Sequence, residues 1–278
     1  MAITNFIPTV WGENLYKNLE NKYIGVANCT REWEGDIKQC GDRVKICGVG
    51  PVSVFNYTKN TDIPAPSVLS DNARELVIDQ AKAFNFQIDD IDRAQTKPDL
   101  MNAAIRGAAD ALASVADRYI YSLHTNVAKE NVIDVSNPDN TLIDTIIDAI
   151  ASMKSRGVCE DLILEVSPEV AAKIYKAKLG MVSENNTLLE NGCIGSIAGC
   201  KIFVTPNLSA ESAGTALFYK CFLRTKRAIA YAEQLSEIEA YRPENRFADA
   251  VKGLHLYGAK IVYPSEIKIL SVEHVEQL

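Results

Sequence analysis

The sequence predicts an α+β fold, and three observations predict it. Between Asp36 and Ile88 apolar residues alternate with polar ones, the two-residue rhythm of half-buried strands. From Pro98 to Val127 apolar positions recur at steps of three and four, the signature of one long amphipathic helix. Beyond Asn137 helical and strand-like stretches take turns, as they do in a compact α/β lobe.

The elements follow in order. Trp11, Leu15, Leu19 and Tyr23 recur every fourth residue, with Glu13, Asn14, Lys17 and Asn21 on the other side. This is a short amphipathic helix that covers either the chain's own core or a neighbour. Val44 and Ile46 alternate within glycine and proline punctuation (Gly41, Gly48, Gly50, Pro51), and Val52, Val54 and Tyr57 form a second candidate strand. Lys59 to Ala73 is polar and carries Pro64 and Pro66, so it is neither helix nor central strand. Strand character resumes from Leu76 to Ile88. Together these make a long two-stranded arm with a solvated tip. A lone ribbon is marginal in water and leaves open edges, so the arm is expected to rest on another subunit.

Thr96 is expected to cap the long helix, with Asp99 three residues on. Asn102, Arg106, Asp110, Ser114, Asp117 and Tyr121 trace a polar stripe. Leu100, Ala104, Ala108, Ala111, Val115 and Tyr119 trace an adjacent apolar one, widened by Ile105, Leu112, Ile120 and Leu123. Its alanines and Gly107 let other backbone approach closely, and its length is about 45 Å. A second helix buries Leu142, Ile143, Ile146, Ile147, Ile150 and Met153 and ends at Gly157. Leu162 to Val166 reads as a strand; Ser167 then caps a helix with Pro168 in its first turn, closed by Gly180. Further strands are expected at Lys201 to Thr205, Leu217 to Leu223 and Ala228 to Glu233. The C-terminal stretch alternates around Leu254, Leu256, Ile261 and Tyr263, with Gly258 read as a bend or bulge.

Composition narrows the function classes. The chain has 278 residues, 47% of them hydrophobic and 23% charged, as in a folded soluble protein. Its net charge of −7 argues against avid binding of nucleic-acid phosphates, but allows a wall around a space that holds nucleic acid. No basic-then-apolar leader opens the sequence, and no apolar run approaches the ~20 residues that span a bilayer. A cytosolic origin without a membrane partner is the expectation.

No stretch of the sequence carries a catalytic signature. Seven cysteines (Cys29, Cys40, Cys47, Cys159, Cys193, Cys200, Cys221) form no C-x-x-C pair and read as reduced thiols packed as small hydrophobes. Gly192, Gly195 and Gly199 fit a tight turn and no phosphate loop. His124, His255 and His274 are not spaced as a helical metal pair; His124 suits the end of the long helix as a cation. Asp89, Asp90 and Asp92, with Arg93, read as a turn before a helix rather than an acid–base pair or hard-metal site. Arg224, Lys226 and Arg227 read as subunit salt bridges or a solvated strand edge rather than a nucleic-acid patch. No catalytic, cofactor or metal residue is assigned, and the chain is not expected to be an enzyme. A cysteine-dependent hydrolase or transferase, with a Cys–His pair meeting only in space, stands as a distant alternative.

Several longer stretches carry a resemblance. "FIPTVWGENLY", "GDRVKICGVGPVSVFNYTKNTDI", "LVIDQAKAFNFQIDDIDRAQ", "NGCIGSIAGCKIFVTPNL" and "YRPENRFADAVKGLHLYGAKIVYPSEI" occur in that order. In this order the chain resembles the major capsid proteins of tailed bacteriophages, of the Hong Kong 97-like fold. The resemblance implies an N-arm (residues 1–35), an extended loop (36–79) and a peripheral domain (80–138) with a spine helix. It further implies an axial domain (139–230) and return strands of the peripheral domain (231–278). It implies self-assembly into pentamers and hexamers of an icosahedral shell around phage DNA, without sequence-specific DNA binding. Scaffolding and portal proteins are the implied partners, with assembly in the bacterial cytoplasm. Some members form a lysine–asparagine cross-link; Lys59 lies in the arm, but no partner residue matches, so that chemistry is not carried over. An encapsulin-like compartment, which shares the fold but holds protein cargo, is the nearest alternative.

Overall fold

The computed structural model describes residues 15–32, 41–46, 56, 59–60, 62, 74–89, 100–136, 138–158, 160–176, 193–213, 216–245 and 247–275. Three sheets and four α-helices make up this part. The largest sheet runs β4 (Val132–Val135), β12 (Ile267–Val275), β9 (Ala216–Thr225), β5 (Leu162–Val166), β7 (Cys200–Val204), β6 (Cys193–Ile197), with β8 (Ala210–Ala213) also on β9. β9 is its hub: β12 lies antiparallel along one side, while β5 and β8 share the other. β5 is buried at all five positions, as expected of a strand covered on both faces.

Helices α3 (Pro138–Ser155) and α4 (Pro168–Lys176) cover one face of this sheet. Leu142, Ile146, Ile150 and Met153 of α3 are buried as the periodicity predicts, whereas Ile147 is 41% exposed. Gly157 closes α3 at φ 86°, with Val158 N–H bonding Met153 O and Gly157 N–H bonding Lys154 O. Ser167 Oγ accepts the Val170 N–H at 3.3 Å and so caps α4, as expected. Thr96, Trp11, Val52, Val54 and Gly180 lie outside the described residues.

The glycine-spaced turn is a β-hairpin. Ala198 and Gly199 both take positive φ (50° and 80°) and join β6 to β7, the geometry of a two-residue hairpin loop. A strand therefore precedes this turn as well as following it.

Helix α2 (Leu100–Ser122) is shorter than expected, about 35 Å. Its chain then tightens into a 3-10 turn, Leu123–Asn126. The buried stripe is Ile105, Ala109, Leu112, Ala113, Ala116 and Ile120. It lies about one residue round from the predicted line: Ala111 and Val115 face outward, whereas Asp117 and Tyr121, placed on the polar stripe, are buried. The physical reason lies in the N-terminal residues, which supply polar partners to that side.

The second sheet holds β10 (Ile229–Tyr241), β11 (Ala248–Ile261) and β3 (Gln80–Asp89). Phe84 and Phe86 of β3 stack at 6.1 Å and pack on the main core. The third is a ribbon of β1 (Arg43–Ile46) and β2 (Arg74–Val77). It crosses the second sheet at Gly258, where an added Cβ would sit 2.2 Å from the Val77 carbonyl oxygen. Gly258 is thus a crossing point in an unbroken ladder with Ala232; the register shift falls at Leu235/Glu237 instead. Val44, Ile46, Leu76 and Ile78 share a small core with Ala230, Ala232, Leu256 and Val262. At its base, then, the ribbon is supported by its own chain, because this sheet offers it an apolar face.

Candidate functional site

Residues 15–32 begin as a short helix, α1 (residues 15–20), and end as a parallel bridge from Thr30 to Ala230 at the edge of β10. Leu15, Leu19 and Tyr23 are buried in the main core, so this amphipathic face is met within the chain. Two polar centres then anchor the segment.

The first centre is built on β9. Arg224 and Phe222 point to the face opposite α3 and α4, and Glu165 on β5 is a diagonal neighbour of Arg224. Arg224 Nε and Nη2 donate to the two Glu165 oxygens, each at 2.9 Å, and both side chains are fully buried. The same guanidinium donates to Asn28 O at 2.5 Å and Gly25 O at 3.0 Å, and Asn28 Nδ2 donates to Glu165 at 3.0 Å. Burial opposes the charge on Arg224, but Glu165 outweighs it and holds the guanidinium above its ordinary value. This corrects the reading of Arg224 as a surface or subunit contact. An ion pair with every donor used can persist in a core; here Glu165 lies 59 residues away in sequence and the Asn28 and Gly25 carbonyls 196 and 199. Arg227 does lie near the surface, donating from Nε to Glu266 at 2.8 Å and pairing with Glu160 at 2.9 Å; Lys226 is exposed.

Asp117 of α2 completes this centre. Its carboxylate accepts the N–H of Ile24 at 3.1 Å and of Val26 at 3.0 Å. Burial pushes the Asp117 carboxyl up to about 7, against the pull of those N–H groups. The folded chain therefore takes up a proton between pH 7 and 3.8 that the unfolded chain does not. Stability is expected to rise as pH falls from 8 to 5, read as a rising urea midpoint, and this rise is expected to vanish in Asp117→Asn. A flat wild-type profile would refute the assignment.

The second centre surrounds Glu233. It accepts from Tyr23 Oη at 2.5 Å, Tyr231 Oη at 2.9 Å and Arg31 Nη2 at 2.6 Å, and pairs with His255 Nε2 at 2.8 Å. Burial alone would raise this carboxyl; His255, then Arg31 and Tyr23, outweigh it and hold it below the usual carboxylate range. His255 is fully buried and belongs to this clamp. His124, after the end of α2, donates from Nδ1 to Tyr121 O and meets Glu211 at 3.2 Å, while His274 lies against the Tyr219 ring.

The other sequence candidates do not converge. Asp89 ends β3, and Asp90, Asp92 and Arg93 lie outside the described residues. Gly195 and Gly199 belong to the β6–β7 hairpin, and Lys59 is exposed in a turn. Cys29, Cys193, Cys200 and Cys221 are buried and free. Burial pushes the Cys29 thiol up to about 11 and those of Cys200 and Cys221 up to about 12, the reverse of an activated nucleophile. Cys40, Cys47 and Cys159 lie outside the described residues. Among the described residues no group of three metal-ligating side chains forms, and no helix is long and apolar enough to cross a membrane. Sequence reasoning missed Glu165, Asp117 and Glu233 as anchors. The one signal available was an acid inside a buried strand, as in "LILEV".

Known proteins agree with this architecture. A structure from Mycobacterium phage Che8 is similar at 25% identity and a TM-score of 0.66, covering 89% of this chain and 90% of that one. The capsid of Ralstonia phage GP4 is similar at 12% identity and a TM-score of 0.68, covering 94% and 91%. The holo-SrpI encapsulin complex from Synechococcus elongatus PCC 7942 is similar at 12% identity and a TM-score of 0.60, covering 90% and 86%. No curated protein matches the sequence. The fold is Hong Kong 97-like. The family described as phage capsid protein matches residues 74–268, from the base of the ribbon to the start of β12, and the chain belongs to that family.

Proposed function

We propose that this protein is the major capsid protein of a tailed phage and that its shell encloses phage DNA. The family match across residues 74–268 carries the reading, and it makes the chain a shell-forming subunit of a virion capsid. Its work is association: identical copies meet through unlike surfaces, and interfaces of that kind close into rings and shells. Several modest contacts per subunit suffice, because each strengthens the others by proximity.

In this reading residues 1–35 form the N-arm, 36–79 the extended loop, 80–138 and 231–278 the peripheral domain and 139–230 the axial domain, with β4 and β12 crossing over to complete the sheet built on β9. The two polar centres support it by fixing where the N-arm leaves the subunit. The ribbon's crossing at Gly258 supports it by fixing where the loop leaves. Scaffolding and portal proteins are the expected partners, with assembly in the bacterial cytoplasm. The acidic net charge suits a wall that encloses DNA without gripping it.

An encapsulin-like compartment is the second reading, favoured by the similarity to the SrpI shell. Particles recovered from infected or expressing cells decide between them. Electron microscopy is expected to show uniform closed shells, and nuclease-protected DNA is expected inside phage heads. An enclosed enzyme in place of DNA would establish the compartment, and small uniform oligomers would overturn both.

A further inference from the structure

A cluster of positive charge without a carboxylate lies between the C-terminal end of α3 and the start of β12, on the sheet face opposite the Arg224 centre, since Lys268 pairs with Leu223 and Ile267 with Arg224. Lys268 of β12 is only 4% exposed, yet its Nζ donates to Ser152 Oγ at 2.8 Å and meets no carboxylate among the described residues. One helical turn after Ser152, Arg156 donates to Asn131 Oδ1 at 3.2 Å and likewise meets none. Asn131 is itself buried, and its Nδ2 donates to Pro264 O at 3.0 Å, which turns its oxygen toward Arg156.

The fully buried Arg224 has Glu165 as its counter-charge, and even Arg227, near the surface, has Glu266 and Glu160. Glu266, two residues before Lys268, is held by Arg227 and Thr225 and faces away from this task. The C-terminal end of α3 supplies about half a negative charge, against two full positive ones. Burial, and then the nearby Arg156 charge, draws the Lys268 pKa below its ordinary value, as expected for an ammonium with no counter-charge. A singly bonded ammonium on a buried lysine, with the exposed Arg156 guanidinium beside it, leaves two N–H donors without a protein partner among the described residues, a setting that favours an anion.

We propose that the side-chain cluster of Lys268, Ser152, Arg156 and Asn131 receives an aspartate or glutamate side chain from a neighbouring copy of this chain. The inference rests on the shell-forming reading, which places a second copy against each subunit. Charge complementarity selects the occupant: the chain carries 36 acidic against 29 basic residues, so each copy has carboxylates to spare. Access selects it too. A slender carboxylate can reach the ammonium of a lysine that is 4% exposed as a residue, whereas the bulk of a nucleic-acid backbone keeps its phosphates outside. The contact would be a charge-assisted hydrogen-bonded pair shut away from water, the kind whose loss is felt mainly as faster dissociation.

Shells assembled from equal amounts of unlabelled and 15N-labelled subunits provide the test. A water-soluble carbodiimide joins an amine to a carboxylate in contact with it. Mass spectrometry of the digested shells is expected to find the Lys268 peptide joined to an acidic peptide of the other label, and to find no such product from dissociated subunits. Linkage only between like labels, or none at Lys268, overturns the proposal. The double variant Lys268→Met, Arg156→Gln is expected to melt no lower than the original subunit and to need about tenfold more protein to assemble. An unchanged assembly threshold overturns the proposal, including the case in which only the nucleic-acid content of the shells falls. Failure of the unaltered chain to form shells overturns the shell reading itself, whereas shells that lack the linkage overturn this proposal alone.

Discussion

Replacing Arg224 with methionine is expected to lower the unfolding free energy of the subunit by about 3–5 kcal/mol, the usual consequence of breaking a buried ion pair from one side. The single change leaves the Glu165 carboxylate enclosed with only Asn28 Nδ2 as a donor, strips Asn28 O of the guanidinium, and leaves Gly25 O with only the weak Cys29 S–H donor. Urea unfolding of the isolated subunit measures the loss. Cleavage within residues 15–32 by a protease at low concentration is expected to quicken in parallel, because that segment is what the guanidinium holds. The double variant Arg224→Met, Glu165→Met is expected to recover part of the loss, since the charge is removed together with its counter-charge. Recovery should remain incomplete, because each carbonyl left without a donor costs about 1–3 kcal/mol. A loss below about 1 kcal/mol in the single variant would show that the pair is an ordinary packing contact.

Gly258→Ala is the second change with a large expected effect. The new methyl group would lie 2.2 Å from the Val77 carbonyl oxygen and 3.1 Å from the Ile78 Cα, so it meets backbone that cannot rotate aside. β11 is held by ladders to β10 and β3 on either side, and the two-stranded ribbon is the weaker party. We expect the ribbon to lift, at a cost of about 1–3 kcal/mol. Leu76 and Ile78, both fully buried, would lose part of their cover, and trypsin is expected to cut at Arg74 faster than in the parent. The main core does not include these residues, so the rest of the subunit should stay folded. If the ribbon aims the extended loop, closed shells should become rare or misshapen in micrographs. Equal cleavage rates and normal shells would mean the crossing tolerates a methyl group.

Much of this architecture was legible in the sequence because periodicity reports local burial. Leu142, Ile146, Ile150 and Met153 declare a helix face, Ser167-Pro168 declares its successor's start, and "LILEV" declares a covered strand. What stayed hidden depends on residues far away in the chain. Asp117 looks like one more polar step on α2, and only the N–H groups of Ile24 and Val26 make it an interior residue. Arg224 sits in a run with Lys226 and Arg227 that reads as surface, and only strand β5 next door converts it into a core cation. Gly258 matches the expectation for a bulge equally well; the crossing of β2 is a fact of packing that no local pattern encodes. The anchors of the candidate site were invisible for the same reason, since each joins residues about 90 to 210 positions apart.

Those separations also constrain biosynthesis. Gly25 and Asn28 leave the ribosome early, yet the arginine that grips them is made about two hundred codons later, and the Glu233 carboxylate that receives Tyr23 later still. Until then the front of the nascent polypeptide has only Asp117, among these anchors, to hold it. A chain terminated before position 224 cannot close its own entrance, and such fragments should be cleared by proteases before they can contaminate a growing particle. The clamp can therefore close only in a chain translated past position 233.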